Sequence, residues 1–219
     1  MSYKSIIQKI LVLMSFVVLS VSAHAFTEGT DYVKLETPIP DAQGTLIKVF
    51  SYDCPFCYRY EKSVVGPVLE KLDGSLVYKP YHLSTKATYG KEGTLLFATL
   101  MIKDQDNGKS VTDKDSMFAK AKMAYYQAYH DKKERWDSGA EAFLQTGLDA
   151  AGMSKADYEA AQQDPRVQEL VKTWDASSYD VAKIQGVPAF VVNGKYLIYT
   201  QSIKSIDAMV ELVKELAAK

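Results

Sequence analysis

The two cysteines of this 219-residue chain, Cys54 and Cys57, lie in one Cys-Pro-Phe-Cys segment. Two thiols at this spacing can close into a small disulfide ring and open again, which is the chemistry of thiol–disulfide exchange. Pro55 suits the first position of a helix, because its missing N–H would have no partner there. The segment therefore predicts a redox-active pair at the start of a helix, with Cys54 exposed at the terminus and Cys57 within the first turn.

The start of a helix favours an ionised Cys54, because unpaired backbone N–H groups and the helix dipole stabilise negative charge there. Stabilising the thiolate stabilises the reduced form, so the disulfide passes readily to another protein. We therefore expect Cys54 to form the mixed disulfide with a client and Cys57 to be its buried resolving partner.

Two simpler interpretations of the cysteine pair remain open. A structural disulfide would close so small a ring that it would constrain little chain entropy. A zinc site needs about four ligands, whereas the chain has no second cysteine pair and only three histidines, His24, His82 and His130. We favour redox exchange, with no metal and no bound cofactor.

The composition excludes several classes of protein. Lys and Arg number 26 against 27 Asp and Glu, which gives a formal net charge of −1. This balance argues against a nucleic-acid partner, since such proteins usually carry a basic excess. The fractions of hydrophobic (47%) and charged (24%) residues are those of a soluble globular protein, and we expect a monomer.

Residues 1–25 have the three-part layout of a secretory signal peptide. Two lysines precede an apolar run from Ile10 to Val21, which ends at the small-x-small pattern Ala23-His24-Ala25. The run is shorter than the roughly 20 residues of a transmembrane helix. We expect cleavage after Ala25 and export to the periplasm, where disulfides persist; a retained N-terminal anchor is the alternative.

The elements around the cysteines follow an α/β pattern. Thr45–Phe50 predicts a strand buried on both faces, and Leu76–Leu83 predicts a second strand. The helix between them is expected to kink at Gly66-Pro67 and to end at Asp73-Gly74. Such a β-α-β unit normally pairs its two strands in parallel.

The rest of the chain predicts a helical block and then a hairpin. Val187–Val192 and Lys195–Thr200 are expected strands on either side of the two-residue turn Asn193-Gly194. Apolar residues from Ile203 to Leu216 then fall at helical spacing. The helices predicted before the hairpin are Thr94–Lys103, Ser116–His130, Ala140–Ala151, Lys155–Gln162 and Arg166–Ser177.

Taken together, these features resemble the thioredoxin superfamily and, within it, the DsbA family of exported thiol:disulfide oxidoreductases. The resemblance implies a thioredoxin-like fold in two parts, residues 26–84 and 179–219, with a helical insertion domain at 85–178. Phe56 and two other segments resemble the DsbL branch of the family. The motifs that carry the resemblance are Phe50-Ser51-x-x-Cys54-Pro55-x-Cys57-Tyr58, Tyr81-His82, Gly186-Val187-Pro188, and for the DsbL branch Phe26-Thr27-Glu28-Gly29-Thr30 and His130–Trp136.

The resemblance also implies roles and partners. Cys54 would be the nucleophile and Cys57 the resolving thiol, with Pro188 a cis-proline packed against the disulfide. The backbone of Val187 would pair with an extended substrate segment. Clients would be reduced exported proteins, with an arylsulfate sulfotransferase as the client of the DsbL branch. An inner-membrane, quinone-coupled protein of the DsbB or DsbI type would restore the disulfide.

Two positions depart from the family pattern. The family has histidine in place of Phe56, and it tends to carry an acid six residues before the first cysteine, where this chain has Lys48. Glu61 matches the other buried acid of the family. We expect Lys48 to pair with Glu61 beneath the disulfide and to favour the Cys54 thiolate; the alternative is an amine that extends to water.

The sequence thus predicts a periplasmic oxidoreductase that donates the Cys54–Cys57 disulfide to clients, with Tyr52, Phe56 and Tyr58 lining an apolar face for them. Two competing functions remain. A disulfide isomerase or reductase would keep its dithiol reduced in cells, and a chaperone-like binding module would keep full activity after Cys54→Ala.

Overall fold

The computed structural model describes residues 26–219, so the predicted signal peptide and its cleavage site lie outside the described residues. The strands are β1 (Tyr32–Lys34), β2 (Thr45–Phe50), β3 (Val77–His82), β4 (Ala189–Val192) and β5 (Tyr196–Ile198). The helices are α1 (Pro55–Tyr60), α2 (Gly66–Leu72), α3 (Gly90–Asp106), α4 (Met117–Tyr126), α5 (Ala140–Ala151), α6 (Lys155–Ala161), α7 (Pro165–Gln185) and α8 (Ile206–Ala217). Two π-helical segments, Glu61–Val65 and Gln127–Asp131, follow α1 and α4.

The five strands form one mixed sheet in the order β1-β5-β4-β2-β3. Strand β2 pairs in parallel with β3 and antiparallel with β4, and all six of its residues are buried, as predicted. Pro80 lies within β3, although a proline cannot donate to a ladder. It is tolerated because β3 is an edge strand of the sheet.

The hairpin after the helical block forms as the sequence predicts. Strands β4 and β5 pair antiparallel, and Asn193 and Gly194 between them both have a positive φ, 53° and 65°. This is the backbone geometry that a two-residue turn requires and that Asn-Gly supplies. Strand β1, which pairs antiparallel with β5, was not predicted. Its three residues are too short to show a period.

Two helices differ from the prediction in instructive ways. The expected kink at Gly66-Pro67 is a π-helical segment, Glu61–Val65, directly before α2. Pro67 has no N–H to offer the carbonyl of the preceding turn, so the regular α-helical pattern cannot pass through it. Helix α7 continues to Gln185 rather than ending at Ser177, because no breaker occurs before Gly186, whose φ is 81°. The domain limits at 84/85 and 178/179 stay a prediction, and α7 spans the second.

Two hydrophobic clusters pack against the sheet. The larger one joins the sheet to the helical block and is rich in aromatic residues, among them Phe50, Phe97 and Tyr125. The smaller one includes Val68 of α2 and Leu212 of α8. Within residues 26–219, none of the helices combines the length and the apolarity needed to cross a bilayer. The carboxyl end of β2 and the start of α1 meet at the border of the larger cluster, and the two cysteines lie there.

Candidate active site

Cys54 is the N-cap of helix α1, as the sequence predicts. Its backbone is extended (φ −86°, ψ 112°), and its sulfur accepts a hydrogen bond from the Cys57 N–H at 3.1 Å. Pro55 occupies the first turn, and both sulfurs are free thiols. The prediction that Cys54 is exposed is wrong, since its side chain is only 3% accessible. It lies against the loop before β4, where its thiol donates to the Val187 carbonyl at 3.2 Å.

The surroundings of Cys54 favour its thiolate. The hydrogen bond from the Cys57 thiol lowers the pKa of Cys54 most, and burial opposes that effect. Lys86 lowers the pKa further, whereas the neighbouring carboxylate of Asp53 raises it. Lys86 and Asp53 also form an ion pair, with Nζ 3.2 Å from Oδ2. The net result is a Cys54 pKa below its ordinary value.

Cys57 has the opposite character. Its side chain is completely inaccessible, and burial raises its pKa well above the ordinary value. The hydrogen bond with Cys54 acts in the same direction, while the positive charge of Lys48 lowers the pKa. The pair is therefore asymmetric: one sulfur is stabilised as a thiolate and the other is held as a thiol.

Beneath the cysteines, Lys48 and Glu61 form the ion pair that the sequence predicts. Lys48 Nζ lies 2.7 Å from Glu61 Oε2, so the alternative of an amine extending to water is wrong. A second buried lysine, Lys122 of α4, contacts Glu61 Oε1 at 2.6 Å. Burial alone would raise the pKa of Glu61, but the two lysines outweigh it and lower the pKa to about 2. Glu61 is therefore ionised at any physiological pH.

The structure changes the expected role of Lys48. The sequence analysis has Lys48 favour the Cys54 thiolate, but its charge acts on Cys57, while Lys86 is the lysine that lowers the pKa of Cys54. The reason is geometric: Lys48 lies on β2 and reaches Glu61, which follows the last residue of α1, whereas Cys54 caps the first turn of α1 near Lys86. Neither Lys86 nor Lys122 belongs to a recognisable motif, and the sequence analysis missed both.

The loop before β4 has the form that the resemblance implies. The peptide bond between Val187 and Pro188 is cis. Pro188 is buried and Val187 is partly buried. The carbonyl of Val187 contacts the Cys54 thiol, so this loop forms one wall of the site.

The prediction that three aromatic residues line an exposed apolar face is wrong for Tyr52 and Tyr58. Phe56 is 55% exposed, with the Arg59 guanidinium over its ring at 5.2 Å, whereas Tyr52 and Tyr58 are buried. Tyr58 stacks on Tyr126, and its hydroxyl donates to Asp131 Oδ2 at 2.7 Å. These contacts pack the helical block directly against α1.

Comparison with known proteins places the chain among proteins with this arrangement. A family model described as Thioredoxin matches residues 39–212. The chain is 61% identical over 213 residues to the thiol:disulfide interchange protein DsbL of Escherichia coli O6:H1 (strain CFT073), with 96% of each chain covered. It is 30% identical over 196 residues to the thiol:disulfide interchange protein DsbA of Salmonella typhimurium (strain LT2), with 88% of this chain and 86% of the other covered. A crystal structure of reduced DsbL superposes with a TM-score of 0.85 at 64% identity, over 89% of this chain and all of that one.

The chain therefore belongs to the DsbA family of thiol:disulfide oxidoreductases, within the thioredoxin superfamily. It shares about twice as much identity with these DsbL sequences as with DsbA. The predicted α/β, thioredoxin-like fold with a helical insertion is confirmed, and so is its class as a protein disulfide oxidoreductase.

Proposed function

We propose that this protein is a periplasmic dithiol oxidase, which donates the Cys54–Cys57 disulfide to reduced exported proteins. The observation that carries the proposal is the asymmetry of the two sulfurs. The Cys57 N–H and thiol both donate to Cys54, which lowers its pKa. These contacts stabilise the reduced form relative to the disulfide, so the disulfide is readily transferred to another pair of thiols.

The transfer has two steps. A client thiolate attacks the Cys54 sulfur, the Cys54–Cys57 bond breaks, and its electron pair stays on Cys57, which takes up a proton because its pKa is raised. A second client thiolate then attacks the client sulfur of the mixed disulfide, and Cys54 leaves as a thiolate. The client loses two electrons and the protein gains them. Cys54 is the sulfur attacked, because Cys57 is completely inaccessible.

The wall beside Cys54 supports recognition of an extended client segment. Val187 is partly buried, and its carbonyl lies next to the reacting sulfur. We assign the Val187 backbone the role of pairing with the client chain, as in strand addition. The exposed ring of Phe56, two residues after Cys54 and with Arg59 over it, offers an apolar contact for a client.

The family supplies the partners in this proposal. The clients are reduced exported proteins, including one of the arylsulfate sulfotransferase type, and a quinone-coupled inner-membrane protein of the DsbB or DsbI type restores the disulfide. The protein acts as a monomer, after its signal peptide is removed behind Ala25. The relatives are named thiol:disulfide interchange proteins, which agrees with disulfide exchange as the reaction.

The proposal is tested by the redox state of the protein. We expect alkylation of intact cells to trap it mainly as the disulfide, and purified disulfide to pass almost completely to glutathione at equilibrium. A mainly reduced cellular form would favour an isomerase or reductase instead. Full activity of Cys54→Ala toward clients would instead indicate that the protein is a binding module and that its disulfide is only structural.

A further inference from the structure

Helix α4 of the helical block presents one face to the active-site helix. Lys122, Tyr126 and His130 lie four residues apart along α4 and the π-helical segment after it. Lys122 contacts Glu61, while the rings of Tyr126 and His130 stack on Tyr58 at 5.3 and 5.5 Å. The block therefore contributes side chains beneath the reacting sulfurs as well as a cover for the sheet.

The charges beneath the sulfurs do not balance. Lys48 and Lys122 together carry +2 against the −1 of Glu61, and these side chains are only 1%, 5% and 13% exposed. Burying charge is expensive, and one lysine is enough to neutralise one carboxylate. Burial lowers the pKa of Lys122, and the charge of Lys48 acts in the same direction, while Glu61 opposes both effects. The cluster of Lys48, Glu61 and Lys122 therefore has one positive charge in excess, which would stabilise an additional anion nearby.

Such an anion arises on Cys57 during exchange. When a client thiolate attacks Cys54, the bond's electron pair collects on the Cys57 sulfur. Lys48 acts on this sulfur, since its charge lowers the pKa of Cys57. Glu61, 2.7 Å from Lys48, would cancel most of that charge if it had no other partner.

We propose that Lys122 is a positioning residue for the exchange reaction, which neutralises Glu61 and leaves the charge of Lys48 free to stabilise the Cys57 sulfur. This inference rests on the proposed function. The same charge assists Cys57 as the leaving group when the disulfide opens and as the nucleophile when it closes again. Lys122 thus links the helical block to the chemistry of a sulfur that it does not touch.

This role has a kinetic signature. At neutral pH Cys57 is an uncharged thiol in the reduced form, because its pKa is raised, and it is also uncharged in the disulfide. The net charge of the cluster therefore changes the stability of neither form through Cys57. Removing Lys122 should slow opening and closing by the same factor and leave their ratio unchanged. The factor is about threefold for each unit by which the Cys57 pKa rises, given the usual dependence of exchange rates on thiol pKa.

The test is Lys122→Met in the purified protein. The variant leaves Glu61 paired one-to-one with Lys48, so no uncompensated buried charge opposes folding. Two rates are measured by acid quench and mass spectrometry: opening of the disulfide by glutathione, and closing of the Cys54–glutathione mixed disulfide by Cys57. We expect both rates to fall about threefold or more together, and Lys122→Arg to restore them. Lys120→Met, an exposed lysine on the same helix, is the matched control and should match the unmodified protein.

Unchanged rates in Lys122→Met would overturn the inference, and so would a shift in the ratio of the two rates, which would indicate an effect on the end states. If the variant does not fold, Lys122→Gln removes the same charge while keeping a polar side chain beside Glu61, and it should slow both steps. Unchanged rates in Lys122→Gln would then count against the inference. The two rates are measured with glutathione and need no client. A failure to oxidise client proteins would therefore contradict the proposed function but would not decide whether Lys122 has this role.

Discussion

Cys54 and Cys57 are separated by two residues, yet the charges that act on them come from different parts of the molecule. Cys54 lies beside a loop with the partly exposed ion pair Lys86–Asp53, whereas Cys57 lies above a cluster of Lys48, Glu61 and Lys122 that is almost closed to solvent. Water and salt screen the first set of charges, but they reach the second set poorly. The two sulfurs are thus one helical turn apart, but nearby charges act weakly on Cys54 and strongly on Cys57.

The contrast suggests a division of roles between the two surroundings. Contacts that lower the pKa of Cys54 stabilise its thiolate in the reduced form, so they shift the equilibrium between dithiol and disulfide. Cys57 carries charge only while a bond opens or closes, so the charges beneath it affect rates. A family member could therefore change its oxidising strength and its speed through separate residues.

The largest effect expected comes from removing one sulfur at a time. Cys57→Ser, with glutathione joined to Cys54, should accumulate mixed disulfides with a client that has a single cysteine, because no Cys57 thiol remains to attack the Cys54 sulfur and release the client. Cys54→Ser should form almost none, since the Cys57 side chain is inaccessible. Each variant is first treated with oxidised glutathione, so that a client thiolate can displace glutathione from the remaining cysteine, and non-reducing electrophoresis then shows the adducts. Comparable adducts through Cys57 would show that the two sulfurs do not differ in their access to clients.

A large effect on acid stability is expected from Glu61. Its pKa falls from an ordinary 4.5 to about 2 in the folded protein, so its contribution is fully present above pH 4.5 and is lost as the pH falls toward 2. A depression of this size is worth about 3 kcal/mol of unfolding free energy. Glu61→Gln should remove that share of the pH dependence, measured by denaturant unfolding across this pH range in one redox state.

The control for this experiment is Asp207→Asn. Asp207 forms an exposed ion pair with Lys71, at 2.8 Å, with both side chains more than half exposed. Exposed pairs contribute little to stability, so this variant should keep the acid transition of the unmodified protein. An equal change in both variants would show that the buried cluster has no special part in acid stability.

The sequence predicted two of the three charges beneath Cys57, and the reason is distance along the chain. Lys48 and Glu61 flank the cysteines within a single β-α unit, so the family resemblance of that one segment was enough to predict their pairing. Lys122 comes from the helical block, and only tertiary packing brings it to Glu61. Cys54 also contacts Val187, which is 133 residues away, and only the family resemblance pointed to that loop. A single sequence contains no local signal for such contacts.

The smallest effect expected is that of Lys86→Met on Cys54. Loss of this charge, with Asp53 left in place, should raise the pKa of Cys54. The change should be small, because exposed charges contribute about 1 kcal/mol or less and are screened by salt. Ultraviolet absorbance of the thiolate against pH measures it, and the shift should shrink at high ionic strength. Asp53→Asn should lower the pKa of Cys54.

Lys48→Met gives the decisive comparison between the two sulfurs. If it shifted the pKa of Cys54 as much as Lys86→Met does, the buried cluster would also control Cys54, and the two surroundings would not act separately.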